Sequence, residues 1–174
     1  VRIHHLHTEG PAPYTDPKFS GIFFHQAFFV GGNVRKSVQA GYSDYIPVFL
    51  SETQKLYRCG ALRCDVAMIQ VCPPDKHGYV SLGTSVDATL AAIECAKTVI
   101  AVVNPNVPRA WGDAMIPMDM IDIFVEKFLK CQKKLMVRAF IILYVLTRQA
   151  VLPALSVQLC ARTALLKLRQ SSYE

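Results

Sequence analysis

The 174-residue chain is long enough for one domain with a substantial core, and its 52% hydrophobic and 18% charged composition excludes general disorder. The net charge of +6 is unevenly spread: residues 1–126 carry 10 Lys/Arg against 12 Asp/Glu, a net of −2, while residues 127–174 carry 9 against 1, a net of +8. A slightly acidic body gives a nucleic-acid partner no electrostatic support, and the basic character belongs to the last segment alone.

In chain order, Val1 to Thr8 reads as a strand closed by the turn formers Glu9-Gly10-Pro11, with His4, His5 and His7 in it. His5 and His7 would share one strand face, but no third ligand with metal-site spacing follows, so these are expected to be strand or cleft residues. Phe23 to Val30 is apolar and aromatic, Gly31-Gly32-Asn33 forms a turn, and Val34 to Ala40 predicts a short helix stopped by Gly41. Backbone amides at such a turn can hold a phosphate or carboxylate, and Arg35 in the first helical turn adds a cation. A tight turn with no ligand is the plainer reading.

Tyr45 to Leu50 predicts a strand, and Ser51 with Glu52 opens a helix running to Cys59, where Gly60 ends it. Val66 to Val71 is a continuous apolar run, the pattern of a strand buried on both faces, ended by Pro73-Pro74-Asp75. A helix from about Ser85 to Lys97 presents Ala88, Leu90, Ala91, Ile93 and Ala96, and Thr98 to Asn104 is a second buried strand. Strand, loop, helix and strand in this order make a βαβ unit, hence an α/β fold with a mostly parallel sheet. Ligands sit beyond the carboxyl ends of such strands, so the loops after Val71 and Val103 are expected to share the functional edge.

The first of those loops, CPPDKHGYVSLGTSVDAT from Cys72, is rich in turn formers and small hydroxyl residues. Gly78 and Gly83 allow close approach of a ligand, Ser81, Thr84 and Ser85 offer hydroxyls, and Asp75 and His77 can fix the loop or titrate. Composition alone leaves two readings: a shaped binding site, or a long loop held by its own hydrogen bonds. The six cysteines form neither a CxxC pair nor a Cys/His zinc pattern, so no metal is expected. No apolar signal segment lies near Val1, and reduced thiols fit a cytoplasmic or mitochondrial protein. A first residue other than Met points to a piece or a trimmed chain, with any targeting peptide upstream.

The run from Cys72 resembles the hallmark of the acetyl-CoA hydrolase and 4-hydroxybutyrate CoA-transferase family. HHLHTEG, FVGGNVRKSVQAG, DYIPVFLSE, DVAMIQV, VDATLAAIECAKTVIAVVN and PRAWGD are similar to family segments in the same order, over nearly all of residues 1–126. The resemblance implies a partial, open CoA-transferase-type α/β domain, coenzyme A as acyl-CoA substrate, and a carboxylate such as acetate or 4-hydroxybutyrate as acceptor. It also implies covalent chemistry, in which a glutamate attacks the thioester, passes through a mixed anhydride and becomes a glutamyl-CoA thioester. In the family that glutamate lies in the second half; none of Glu9, Glu52, Glu94, Glu126 and Glu174 sits in a block that resembles the nucleophile's surroundings.

No catalytic residue is therefore assigned. The matching positions imply a substrate-binding wall of Gly31, Gly32, Asn33 and Arg35 from the GGNVR block, with Asp75, His77, Gly78, Ser81, Gly83 and Ser85 from the hallmark loop. The family usually has serine at Cys72 and threonine at Ala110. The implied partners are the acyl-CoA, the carboxylate and the second domain; assembly of the parent enzyme as a homo-oligomer stays open.

After Glu126 the resemblance stops and Lys127 to Glu174 becomes basic, apolar and nearly free of acidic residues. Leu135 to Leu146 is too short, and interrupted by Arg138, for a spanning helix of roughly 20 apolar residues. The segment is expected to be a helical or disordered tail unrelated to the family, arising from an alternative exon or frame. An amphipathic membrane-surface helix is its rival reading, and a non-catalytic acyl-CoA-binding or membrane-associated module is the rival function.

Overall fold

A computed structural model describes residues 1–8, 10–126 and 144–146. Its centre is built from the two apolar runs: β4 (Val66–Val71) and β6 (Thr98–Val103) pair in parallel, Val66 opposite Thr98 through Val71 opposite Val103. Along β4 the inward residues Ala67, Ile69 and Val71 are buried. The crossover between them carries α3 (Asp87–Cys95), completing the expected βαβ unit.

Small residues let α3 lie close to its neighbours. Ala88, Ala91 and Ala92 have no exposed surface and share the core with Ile69, Val71, Val80, Val99 and Ile116. α2 (Thr53–Arg58) packs against α3 and buries the Tyr57 ring beside Phe28, with ring centroids 6.1 Å apart. At the rim of this helix pair, Arg58 Nε donates to Glu94 at 2.9 Å and Gln54 to the Asp87 carbonyl at 2.8 Å.

The central sheet extends on both sides. β8 (Ile123–Glu126) lies parallel to β6, and β9 (Tyr144–Leu146) lies antiparallel to β4, giving the order β8-β6-β4-β9. β9 is the described part of the basic apolar segment and also lies beside β1 (Arg2–His5). The expected helical or disordered character of residues 127–174 otherwise falls outside the described residues.

A second, wholly parallel sheet has the order β1-β2-β3, from Arg2–His5, Phe24–Ala27 and Ser43–Tyr45. One face receives Ala12, Tyr14 and Val34, which surround Ile3. α1 (Arg35–Gln39) follows β2 across the GGN turn. Leu6, Phe28, Ile46 and Val48 at this sheet's carboxyl end pack into the main core and join the two sheets.

Two expectations shift in position. The strand expected at Tyr45–Leu50 is β3 at Ser43–Tyr45: Ile46 still donates to Ala27 O at 2.9 Å, but Pro47 has no N–H and the chain leaves the ladder, turning into a 3-10 helix at Leu50–Glu52. The run after Cys72 is also more regular than a loop. It contains β5 (Tyr79–Ser81), which forms an antiparallel ribbon with β7 (Met115–Pro117).

Candidate functional site

The hallmark run folds around Asp75. One of its carboxylate oxygens accepts the amides of His77 and Tyr79, each at 2.9 Å, and the Asp75 amide donates to Tyr79 O at 2.8 Å. Gly78 supplies the left-handed corner, at φ +79°, that lets four residues reverse direction. The other carboxylate oxygen accepts Arg109 Nη1 at 3.2 Å, while Nη2 of the same guanidinium donates to Pro73 O at 2.6 Å. The Tyr79 amide first, then the His77 amide and the Arg109 charge, hold the Asp75 carboxyl below its usual value.

Ser81 makes the second tie. Its fully buried hydroxyl accepts the amide of Ala110 at 3.0 Å, donates to Ala110 O at 2.9 Å and accepts the Gly83 amide at 3.2 Å. Gly83 sits at φ +69°, and a Cβ there would come within 2.6 Å of Val107 Cγ1 and 3.3 Å of Pro108 O. The absence of a side chain is what lets the chain after β5 lie against the chain after β6. The Asn104 amide adds a 2.8 Å bond to Val71 O. The loops beyond the carboxyl ends of β4 and β6 thus share one edge, as their strand order requires.

Around this joint, His77 is exposed, Ser85 is half-buried, and Trp111, the one tryptophan of the chain, is 79% exposed two residues from the Arg109 clamp. Cys72 is buried, accepting the Ser81 amide at 3.2 Å and lying 3.4 Å from Pro73 O. These are packing contacts of the kind that a serine in the same place would also make.

The other four residues gather at the carboxyl end of the first sheet. Asn33 Nδ2 donates to Thr8 O at 2.9 Å and to Gly10 O at 3.0 Å, binding the exits of β1 and β2 together. Gly31 is buried, and a Cβ on it would lie 2.8 Å from Asn33 Oδ1 and 3.2 Å from His7 Cε1. Gly32 is exposed with open space around its Cα, and Arg35 is exposed at the first position of α1. The amides of Val34 and Arg35 turn back onto Gly31 O, at 3.3 and 3.1 Å. The ten residues therefore form two groups, one on each sheet, each tied internally.

Two residues that sequence reasoning passed over stand out beside these groups, and only Arg109 ties one of them. Arg109 was visible only as part of PRAWGD; its role depends on a β4–β6 register that brings residues about 30 apart together. His25 carries no local motif, yet β1–β2 pairing sets its ring on that of His5, with centroids 4.3 Å apart. Among the described residues no group of three or more His, Cys, Asp or Glu is placed to hold a metal ion. Among the same residues no helix is long and apolar enough to cross a membrane.

Comparison with known proteins places this geometry. Residues 1–137 match the model of the acetyl-CoA hydrolase/transferase N-terminal domain. The chain is 48% identical over 116 residues to a succinyl-CoA:acetate/propanoyl-CoA:succinate CoA transferase of Fasciola hepatica, covering 67% of this chain and 24% of that protein. It is 45% identical over 126 residues to a 4-hydroxybutyrate coenzyme A transferase of Clostridium kluyveri, covering 72% of this chain and 29% of that one. The fold is similar to RipA from Yersinia pestis, with a TM-score of 0.66 at 24% identity over 74% of this chain and 32% of RipA. The chain thus spans less than a third of the length of these relatives, and it belongs to the acetyl-CoA hydrolase/transferase family through that family's N-terminal domain.

Proposed function

We propose that this chain supplies one wall of a coenzyme A transfer site, serving a reaction that moves CoA between an acyl-CoA and a carboxylate such as acetate or 4-hydroxybutyrate, or to water. The observation that carries the reading is the double tie of the hallmark loop to the Arg109–Ala110 segment, which fixes a hydroxyl- and glycine-rich surface at the carboxyl edge of a parallel sheet. Family membership supplies the substrate class, CoA thioesters. In this proposal the amides near Gly32 and the Thr84–Ser85 hydroxyls face the carboxylate, while Asp75, Gly78, Ser81 and Gly83 shape the loop behind them. Asn33 fixes the GGN turn, and Arg35 and His77 lie at the exposed rim.

The nucleophile of the implied glutamyl-CoA pathway lies outside these 174 residues, so the chain alone binds weakly and does not turn over. Titration of the 15N-labelled chain with millimolar acetate, 4-hydroxybutyrate and acetyl-CoA tests this. Shifts centred on the amides of Gly32, Asn33 and residues 83–85 are expected. Shifts confined to other surfaces would contradict the assignment.

A further inference from the structure

Three of the chain's five histidines are buried in the first sheet, and the proposed transfer site uses none of them. His4, His5 and His25 are each no more than 2% exposed. The rings of His5 and His25 stack at 4.3 Å with 26° between planes, and Tyr14 closes the stack, its hydroxyl 3.0 Å from His5 Nε2. Both ring nitrogens of His25 and Nδ1 of His5 and of His4 find no hydrogen-bond partner among the described residues. His4 turns to the opposite face, where Nε2 meets Gln26 Oε1 at 2.9 Å. A polar ring buried without partners costs stability that a phenylalanine there would not. Such a cluster is therefore more than packing.

The strap that covers this stack is itself strained. It leaves β1 through Gly10 at φ +90° and passes Ala12, the one non-glycine residue with positive φ among the described residues, at φ 44° and ψ 58°. It then lays Tyr14 over the two imidazoles, with ring centroids 6.1 Å from His5 and 5.5 Å from His25. Its other anchors among the described residues are Asn33 to Gly10 O, Ser37 Oγ to Thr15 O at 3.2 Å, and the Val1 ammonium, which donates to Ile22 O at 2.7 Å.

We propose that the His5–His25 stack is an acid-operated latch: while both rings are neutral the strap of residues 10–23 stays seated on the N-terminal sheet, and their protonation releases it. The groups facing His5 are His4, His7 and His25 together with Tyr14; those facing His25 are His4, His5 and Tyr14; and Arg2 lies close to His4. Among the described residues no carboxylate is placed beside either ring to compensate a second positive charge.

Burial first, and the neighbouring imidazoles second, push His5 down to about 3 and His25 down to about 4 from 6.5. The sign follows: a group with a lowered folded value favours the closed form above 6.5 and loses that contribution as the pH falls towards the folded value. Between those limits each histidine shifts the closed-to-open ratio by about tenfold per pH unit, and the pair by about a hundredfold. The central sheet carries no such group; the fifth histidine, His77, is exposed.

Hydrogen exchange of the 174-residue chain from pH 7.5 to 4.5, corrected for intrinsic rates, tests the latch. Amides of β1, β2 and residues 10–23 should lose protection first, while β4 and β6 stay protected; His25→Phe should move that loss down by about one pH unit. Loss of protection in both sheets at the same pH, or a first sheet still protected at pH 4.5, would overturn the proposal. Ring resonances of His5 and His25 in the unsubstituted chain provide the same test without a variant. Proton uptake that coincides with opening of the β1–β2 amides supports the latch, and uptake with the sheet closed overturns it.

Discussion

Ser81 and Ala110 are 29 residues apart and hold each other through both backbone groups of Ala110, whose amide donates to the Ser81 hydroxyl at 3.0 Å and whose carbonyl accepts from it at 2.9 Å. The Gly83 amide uses the hydroxyl's remaining acceptor position. A hydroxyl engaged in this way positions the loop and leaves ligand contact to its neighbours. Ser81→Ala leaves two amides and a carbonyl without that partner and should cost about 2–4 kcal/mol in urea unfolding. Ser85→Ala, at a half-buried position four residues on, should cost less than Ser81→Ala.

The glycines separate in the same way. Gly83→Ala forces a side chain into a left-handed position against Val107 and Pro108, and should destabilise the chain by about 2–4 kcal/mol in thermal or urea melts. Gly32→Ala meets open space and should leave the melting temperature within about 2 °C of the parent. If the amides near Gly32 face the carboxylate as proposed, Gly32→Ala should nevertheless abolish the acetate-induced shifts at Gly32 and Asn33.

The Arg109 fork joins Asp75 to Pro73 O, and an ammonium cannot reproduce two divergent donors. Arg109→Lys should loosen the segment that displays Trp111, seen as a fall in tryptophan fluorescence anisotropy, with a stability loss of about 1 kcal/mol. Acid should do the same in the parent chain. The Asp75 carboxylate is held below its ordinary 3.8, so its contribution is complete above that pH and fades as the pH drops through the depressed value. Asp75→Asn should remove this part of the acid response.

Thiol reactivity should follow burial. Cys59 is exposed, whereas Cys64 is buried and its thiol is pushed up to about 12, mainly by desolvation and then by Cys95 and Asp65. Iodoacetamide at pH 7.5 should label Cys59 within minutes and Cys64 only on unfolding, as read by peptide mass spectrometry. Cys72→Ser should change stability by no more than about 1 kcal/mol, since an oxygen there can keep the Ser81 amide as donor.

The parts of this molecule that were legible in its residues are those set by local pattern. The apolar runs Val66–Val71 and Thr98–Val103, with an alanine-rich helix between them, specify a βαβ unit, although only alternate residues of the two strands are fully buried and the other face is half-buried. That unit in turn places the two loops on one edge. Hidden from such reading were the contacts that depend on register. Nothing near Arg109 announces that its partner is Asp75, and nothing near His25 announces His5, because each pair meets only when parallel strands align. The β5–β7 ribbon was hidden for a related reason: three-residue strands among glycines and prolines carry too little periodicity to stand out.

Turnover of acetyl-CoA by the purified 174-residue chain, with and without acetate, is the most direct measurement of whether this wall works alone. Free thiol should appear no faster than in buffer, and mass spectrometry should find no CoA adduct on Glu9, Glu52, Glu94, Glu126 or Glu174. Thiol release above that background, together with a CoA thioester on any of those five glutamates, would contradict the claim that the nucleophile lies elsewhere.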